Sequence, residues 1–351
     1  MVIIQGLKMK ALTIAVLYGG KSTEHEVSVH SAGDVCQELK KNHKILQIFI
    51  SKTGKWFLQK RCGFKTQNDI EISPLVNGNL IDKQGKKYKA DLFFPVLHGT
   101  FGEDGSVQGL FETMGVKYVG CKVLASALAM SKELSKILAI KAQIPVLPWF
   151  SLNKNEKLNK QEIFKKAKEL GYPIFVKPNS LGSSVGISKV KKESELLPAI
   201  KKAFNFEKHV LVEKGLDNAR EVFCAIIENK PRHFKTSACG ELIKSDSEFY
   251  DYETKYHNPH GSDMEIPAKL PKSLQNKLRK YTEKFFIALN GTGLSRIDFL
   301  ISIDGKKAYF SEINTLPGMS KSSLFPNLLE EEGISYTKQI EILLKTALNR
   351  N

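Results

Sequence analysis

Three short apolar runs near the start of the chain, TIAVLYG (13–19), KILQIFI (44–50) and DLFFPVL (91–97), constrain the fold more than any other feature. Each is rich in β-branched or aromatic residues and shows little of the polar alternation of a half-wet strand. A strand without a wet face must be covered on both sides, which is the situation in parallel sheets. Helical spacing follows the first and third runs. Val29, Ala32, Val35, Cys36 and Leu39 share one helix face, as do Val107, Leu110, Phe111 and Met114. Strand and helix alternate, so the fold class is α/β with a doubly covered parallel sheet. Ligands of such sheets sit beyond the carboxyl ends of the strands. GGKSTE (19–24) and HGTFGEDG (98–105) both lie there.

The first of these segments invites a phosphate-loop reading that its spacing rejects. The pattern G-x-x-x-x-G-K-[ST] ending at Gly20-Lys21-Ser22 requires glycine at position 15, and that residue is Ala15. Two glycines, a lysine, two hydroxyls and Glu24 therefore need another role.

At 351 residues the chain can bury two or three cores. No apolar run reaches the length of a membrane span. MVIIQGLKMK before the first strand reads as a short leader, since no small-x-small cleavage site follows. The five cysteines contain no C-x-x-C, as expected of a reduced, cytoplasmic protein. The net charge of +16 raises the question of nucleic acid, but only six of the 53 basic residues are arginine and no RNA-binding aromatic motif accompanies them. Neither a nucleic-acid nor a membrane partner is expected. A small anionic substrate would benefit from the same field.

Further along, YPIFVKPNSLGSSVGISKV reads as two strands flanking a loop of small polar residues, and HVLVEKGL as another strand. SDSEFYDYETKYHNPHGSDMEIP (245–267) is long and aperiodic, the mark of a functional loop. A helix carrying Leu274, Leu278, Tyr281, Phe285 and Leu289 precedes a hairpin, LSRIDFLISIDGKKAYFSEINTLPG.

The hairpin carries the sharpest chemistry. Arg296 and Asp298 are two apart and share a strand face, as do Glu312 and Asn314. A three-residue Asp304-Gly305-Lys306 loop would set Asp298 opposite Glu312 and Arg296 opposite Asn314. Two carboxylates and an amide oxygen suit Mg²⁺. A solvated face with a salt bridge accounts for the same pattern, and a one-residue slip would split the set. In NSLGSSVG (179–186), Gly182 and Gly186 can turn backbone N–H groups toward an anion, with Ser183 and Ser184 as added donors and Lys177 nearby. An ordinary flexible turn has the same composition. His98 reads either as a proton carrier or as a polar residue at a sheet edge, and Asp104 as a helix N-cap.

Taken in order, GGKSTEHEVS, HGTFGEDGSVQG, MSKELSK, VKPNSLGSSVG, VLVEKGL, FYDYETKY, SRIDF and EINTLPGMSKSSLFP resemble the D-alanine–D-alanine ligase family of the ATP-grasp superfamily, from about residue 12 to 345. The resemblance implies three domains, residues 1–120, 121–216 and 217–351, the first a doubly wound parallel-sheet domain. It implies ligation of two D-alanines through a D-alanyl phosphate, with ATP as co-substrate, for peptidoglycan. It further implies two Mg²⁺ or Mn²⁺ ions, a possible monovalent cation, a homodimer and a cytoplasmic location.

By motif match, Asp298, Glu312 and Asn314 would hold the metal, and Lys132, Lys177 and Lys255 would contact phosphates, with Ser183 and Ser184 covering them. Glu213, Lys214 and Leu216 would hold adenine and Glu221 the ribose, although GLDNARE is one residue longer than in some relatives. Glu24 would bind the ammonium of the first D-alanine and join Ser183 and Tyr256 in a closing network, with His98 nearby. Arg296 and the Gly318 N–H would stabilise the oxyanion. Ser323 and the Leu324 N–H would bind the second carboxylate. Relatives that make D-alanyl-D-lactate often carry histidine in the loop of Tyr256, so this tyrosine favours D-alanine as acceptor, although His257 adjoins it. The rival expectations are a D-alanyl-D-lactate or D-alanyl-D-serine ligase and, from another class, a basic non-catalytic binding protein.

Overall fold

The computed structural model describes residues 10–244 and 262–350. Strands β1 (Thr13–Gly19), β2 (Lys44–Ile50) and β7 (Leu92–Pro95) are parallel neighbours in the order β2-β1-β7. Helix α1 (His25–Leu39) makes the crossover from β1 to β2, and α2 (Ser106–Met114) follows β7. Both faces of β1 are buried. Ile14, Val16 and Tyr18 belong to one apolar cluster, and Ala15 and Leu17 to another. This is the doubly covered strand that the first apolar run required.

The sheet then continues antiparallel from β2 through β3 (Trp56–Gln59), β4 (Ile70–Pro74), β5 (Asn79–Asp82) and β6 (Lys87–Lys89). These strands are three to five residues long, too short for their apolar pattern to stand out in the sequence.

A second sheet is antiparallel, in the order β10-β9-β11-β8, from β8 (Trp149–Asn153), β9 (Ile174–Pro178), β10 (Ser188–Val190) and β11 (His209–Lys214). Helices α5 (Lys160–Leu170) and α6 (Leu196–Ala203) cover it and share its own apolar cluster, which includes Ile163, Val176, Ile200 and Val212. The third sheet has the order β14-β13-β12-β15-β16. Its strands are β12 (Arg220–Lys230), β13 (His233–Lys244), β14 (Ser262–Glu265), β15 (Leu294–Ile301) and β16 (Ala308–Asn314). One face packs on α7 (Lys272–Ala288) together with α3 (Val123–Met130) and α4 (Lys132–Lys141). The other packs on α8 (Leu324–Glu330) and α9 (Tyr336–Leu348) in the cluster that also contains β1 and α1.

The hairpin reaches the expected pairing by an unexpected route. Asp298 is opposite Glu312 and Arg296 opposite Asn314. The turn, however, is closed by Ser302 and Lys307, through a 2.9 Å bond from the Ser302 N–H to the Lys307 carbonyl, so its loop is four residues, 303–306. Phe299 consequently faces Phe310, one step out of the expected register. A bulge at residue 311 restores the frame before the charged residues. Without an extra residue there, Ser311 would oppose Asp298.

The first parallel strand ends at a glycine because a side chain has no space. Gly19 has φ +86°, and a Cβ there would lie 2.4 Å from the Ile50 carbonyl oxygen. Gly19→Ala should destabilise the fold by on the order of 2 kcal/mol, read as a lower thermal midpoint. An unchanged midpoint would mean that the turn can move aside.

Candidate active site

The central and C-terminal sheets face each other across a cleft of about 600 Å³. Lys132, Lys177, Ser183, Ser184, Glu213, Lys214, Leu216, Glu221, Asp298 and Glu312 all line it. Ten of the sequence-predicted residues, from six separate elements and two loops, therefore share one cavity.

The cleft holds a buried ionic group. The Glu213 carboxylate, on β11, lies between two ammonium groups. Lys177, on the neighbouring β9, contacts Oε2 at 2.5 Å, and Lys136, on α4, contacts Oε1. Burial pushes against the charge of Glu213, but Lys136 and Lys177 outweigh it and hold the carboxyl down at about 2. Burial pulls the Lys136 ammonium down, with Glu213 opposing. Burial also pulls on Lys177, yet Glu213 raises it above its ordinary value. Lys136 is 1% exposed and was not among the candidate residues. Its signal was present in the sequence: it stands four residues after Lys132, on the same helix face.

Lys132 is also buried. Its backbone N–H bonds the Asn179 carbonyl at 2.9 Å and its ammonium donates to the Leu181 carbonyl, which ties α4 to the small-residue loop. Burial lowers its affinity for the proton, and the charge of Glu312 opposes this. In that loop Ser183 and Ser184 both take positive φ, 52° and 60°. The loop is wound so that the Ser183 hydroxyl donates to Glu24 Oε1, across from the N-terminal sheet. One bond thus joins the GGKSTE turn to the central sheet.

The floor is formed by β15 and β16. Arg296 grips Asp298 with two parallel bonds of 2.7 Å, and the Asn314 amide donates to Asp298 at 3.3 Å. The salt bridge of the plainer reading is therefore present on the same face as the candidate metal ligands. Among the described residues no group of three or more His, Cys, Asp or Glu side chains could hold an ion by itself. Asp298 and Glu312 offer hard oxygens that open onto the cavity, with the Asn314 amide beside Asp298, which fits a divalent ion completing its shell with phosphate and water.

Next to the cleft, three loops meet around Glu24. A Cβ on Gly99 would fall 2.4 Å from Glu24 Oε2, so the carboxylate packs directly against the backbone of the HGTFGEDG loop. His98 Nδ1 lies 3.0 Å from the Leu316 carbonyl, and burial holds its imidazole toward the neutral form. Glu103 bridges the same loops, accepting from the Gly99 N–H at 2.8 Å and the Leu316 N–H at 3.1 Å. The sequence places Glu103 with Glu24 and His98 on the ligand side of the sheet but gives it no specific role. Its segment offers two adjacent acids, and only Asp104 had an evident role, as a helix N-cap; the N-cap of α2 is instead Gly105, one residue on, and Asp104 Oδ1 accepts from the Ser106 N–H at 2.9 Å. Ser323 caps the loop 318–323, where the Ser320 N–H donates to its Oγ at 3.1 Å and a Cβ on Gly318 would meet that oxygen at 2.9 Å. Leu324 opens α8. Lys255, Tyr256 and His257 lie outside the described residues.

Taken as chemistry, the arrangement is a cation-lined anion pocket with an acidic floor, joined through Ser183 to the Glu24 carboxylate. That is the layout of a nucleotide-dependent ligase. Sequence models of the D-ala D-ala ligase N-terminus and C-terminus match residues 13–121 and 138–345. A D-alanine--D-alanine ligase of Caldicellulosiruptor bescii is 40% identical over 98% of this chain and 97% of its own. Among solved structures, the D-alanine-D-alanine ligase from Coxiella burnetii superposes with a TM-score of 0.86 at 30% identity, covering 97% of this chain and 95% of that one. The VanG D-Ala:D-Ser ligase from Enterococcus faecalis gives 0.83 at 29% identity, covering 96% and 100%. The chain belongs to the D-alanine–D-alanine ligase family, with the ATP-grasp fold.

Glu103 supplies a pH test of this geometry. Burial and then the neighbouring Glu24 raise its carboxyl from an ordinary 4.5 to about 8. A raised carboxyl favours the protonated folded state, so its contribution to stability falls as pH rises from 4.5 through about 8. Glu103→Gln should flatten the loss of thermal midpoint over that interval, even if the variant starts lower. Equal slopes for variant and parent would refute the assignment.

Proposed function

We propose that the chain joins two D-alanines to D-alanyl-D-alanine at the expense of ATP, through a D-alanyl phosphate, for peptidoglycan synthesis. The observation that carries this reading is the Ser183–Glu24 bond. It connects the cationic nucleotide half of the cleft to Glu24, a carboxylate suited to an amino-acid ammonium.

In this reading a carboxylate of the first D-alanine must be made electrophilic, and phosphoryl transfer does so chiefly by position and charge neutralisation. Lys132 and Lys177 meet the phosphates, with Lys255 reaching the γ-phosphate and Ser183 and Ser184 closing over them. Glu213, Lys214 and Leu216 hold the adenine edge and Glu221 the ribose. Asp298, Glu312 and Asn314 hold Mg²⁺ or Mn²⁺, whose charge screens the phosphates. Glu24 receives the first ammonium with His98 beside it. Arg296 and the Gly318 N–H face the developing oxyanion. Ser323 and the Leu324 N–H receive the second carboxylate. Tyr256 completes the Glu24–Ser183 network and keeps water from the acyl phosphate.

The domain division at 120 and 216 belongs to the same proposal, as do the homodimer, the monovalent cation and a cytoplasmic location. Among the described residues no helix is long and apolar enough to cross a membrane.

The second substrate is the finer question, because the VanG D-Ala:D-Ser ligase shares the fold. Purified protein with ATP, Mg²⁺ and D-alanine should release ADP and yield D-alanyl-D-alanine. Excess D-lactate or D-serine should give only minor mixed products. ADP release that depends on D-serine or D-lactate would move the chain to the other specificity.

Two variants sharpen the test. Glu312→Gln should abolish turnover while the thermal midpoint and ATP binding without metal persist. Wild-type-like turnover would remove Glu312 from the metal set. Tyr256→Phe should relax rejection of D-lactate. A ratio of D-alanine to D-lactate products that stays at the wild-type value from about pH 6 to about pH 9 would refute that role.

A further inference from the structure

Away from the cleft, Cys36 and Cys62 bring their sulfur atoms to 2.7 Å. They are 26 residues apart and come from different elements, Cys36 from the buried face of α1 and Cys62 from the loop after β3. Cys36 is 2% exposed, whereas Cys62 is part-exposed. The loop is held in place for this contact. Gln47 Oε1 accepts from the Cys62 N–H at 3.0 Å and contacts its sulfur at 3.2 Å, and the Gln47 amide donates to the Lys60 carbonyl at 2.7 Å. Lys40 donates to the same Gln47 oxygen, bringing a positive charge near the pair.

An accessible thiol beside a cation, backed by a buried thiol in contact, is the arrangement of an attacking and a resolving cysteine. We propose that Cys36 and Cys62 form a reversible oxidation site, with a hydroperoxide as the oxidant. The Cys62 thiolate would attack one peroxide oxygen, breaking the O–O bond and leaving a sulfenic acid and one water. Cys36 would then attack the Cys62 sulfur, form the S–S bond and release a second water. The balance is two thiols and one hydrogen peroxide giving one disulfide and two waters. Contacts with Cys36 and Tyr18 hold the Cys62 thiol below its ordinary range against the effect of burial, which supports its part as the attacking group.

The chain contains its own comparison. Cys224 and Cys239 face each other across β12 and β13 with sulfurs 3.2 Å apart, but they are 0% and 1% exposed. Proximity is similar there, and access is absent. The two pairs therefore separate contact from exposure as the determinant of oxidation.

The experiment is a hydrogen peroxide titration of the full-length protein. Free thiols are then alkylated, and intact mass and a non-reducing peptide map are recorded. The expected result is loss of two hydrogens, one linked Cys36–Cys62 peptide, reversal by dithiothreitol, and free thiols at Cys121, Cys224 and Cys239. In Cys36→Ser, Cys62 should stop at the sulfenic acid and take one dimedone label per chain. If that variant does not fold, Cys62→Ala should leave Cys36 unoxidised at the same peroxide dose. The proposal is overturned if Cys36 and Cys62 remain alkylatable at doses that oxidise exposed methionines. It is overturned equally if the Cys224–Cys239 link forms first, or if Cys62 links only to a second chain. None of these readouts depends on ligase activity, so the proposal and the functional reading can fail separately.

Discussion

A carboxylate buried as deeply as Glu213 keeps its charge only if opposite charge is buried with it. Here two lysines supply it, one from the neighbouring strand β9 and one from α4. The group therefore does more than neutralise a charge. It fixes α4 against the central sheet, and α4 also carries Lys132 into the cleft and bonds the base of the small-residue loop. That loop reaches Glu24 in the N-terminal unit. A chain of polar contacts thus runs from the buried Glu213 group to Glu24, and each link presupposes the one before it.

Much of this was legible in advance where the physics is local. The parallel strands announced themselves because a strand buried on both faces cannot alternate. The Arg296, Asp298, Glu312, Asn314 face followed from the two-residue repeat of a strand. The route to it did not, because a bulge at residue 311 corrects a turn that is one residue longer than expected, and a bulge leaves no mark in the spacing of side chains. The short strands β3 to β6 escaped for a different reason, since three to five residues carry too few apolar positions to form a pattern.

Lys136 was missed, and Glu103 was left without a specific role, because their importance comes from burial, which depends on elements far away in the chain. A lysine on a lysine-rich helix and an acid in a Gly-Glu-Asp-Gly loop both look like solvated surface. The grouping of ten candidate residues around one cavity owed as much to the order of motifs as to spacing. Ser183 or Lys177 alone was compatible with an ordinary turn. The family resemblance supplied the substrate, which neither periodicity nor charge could name.

The way the apolar clusters are shared has a mechanical consequence. The first and third sheets meet in one core, through β1, α1, α8, α9 and residues of β12 such as Phe223, Ala225 and Ile227. The central sheet keeps a core of its own and reaches the N-terminal unit through the Ser183–Glu24 bond. Shearing the outer pair would expose apolar surface, whereas swinging the central sheet exchanges polar contacts for water. The molecule is then a fixed jaw and a hinged one. Its energetic cost of opening falls on the bonds that a nucleotide and an amino acid would replace.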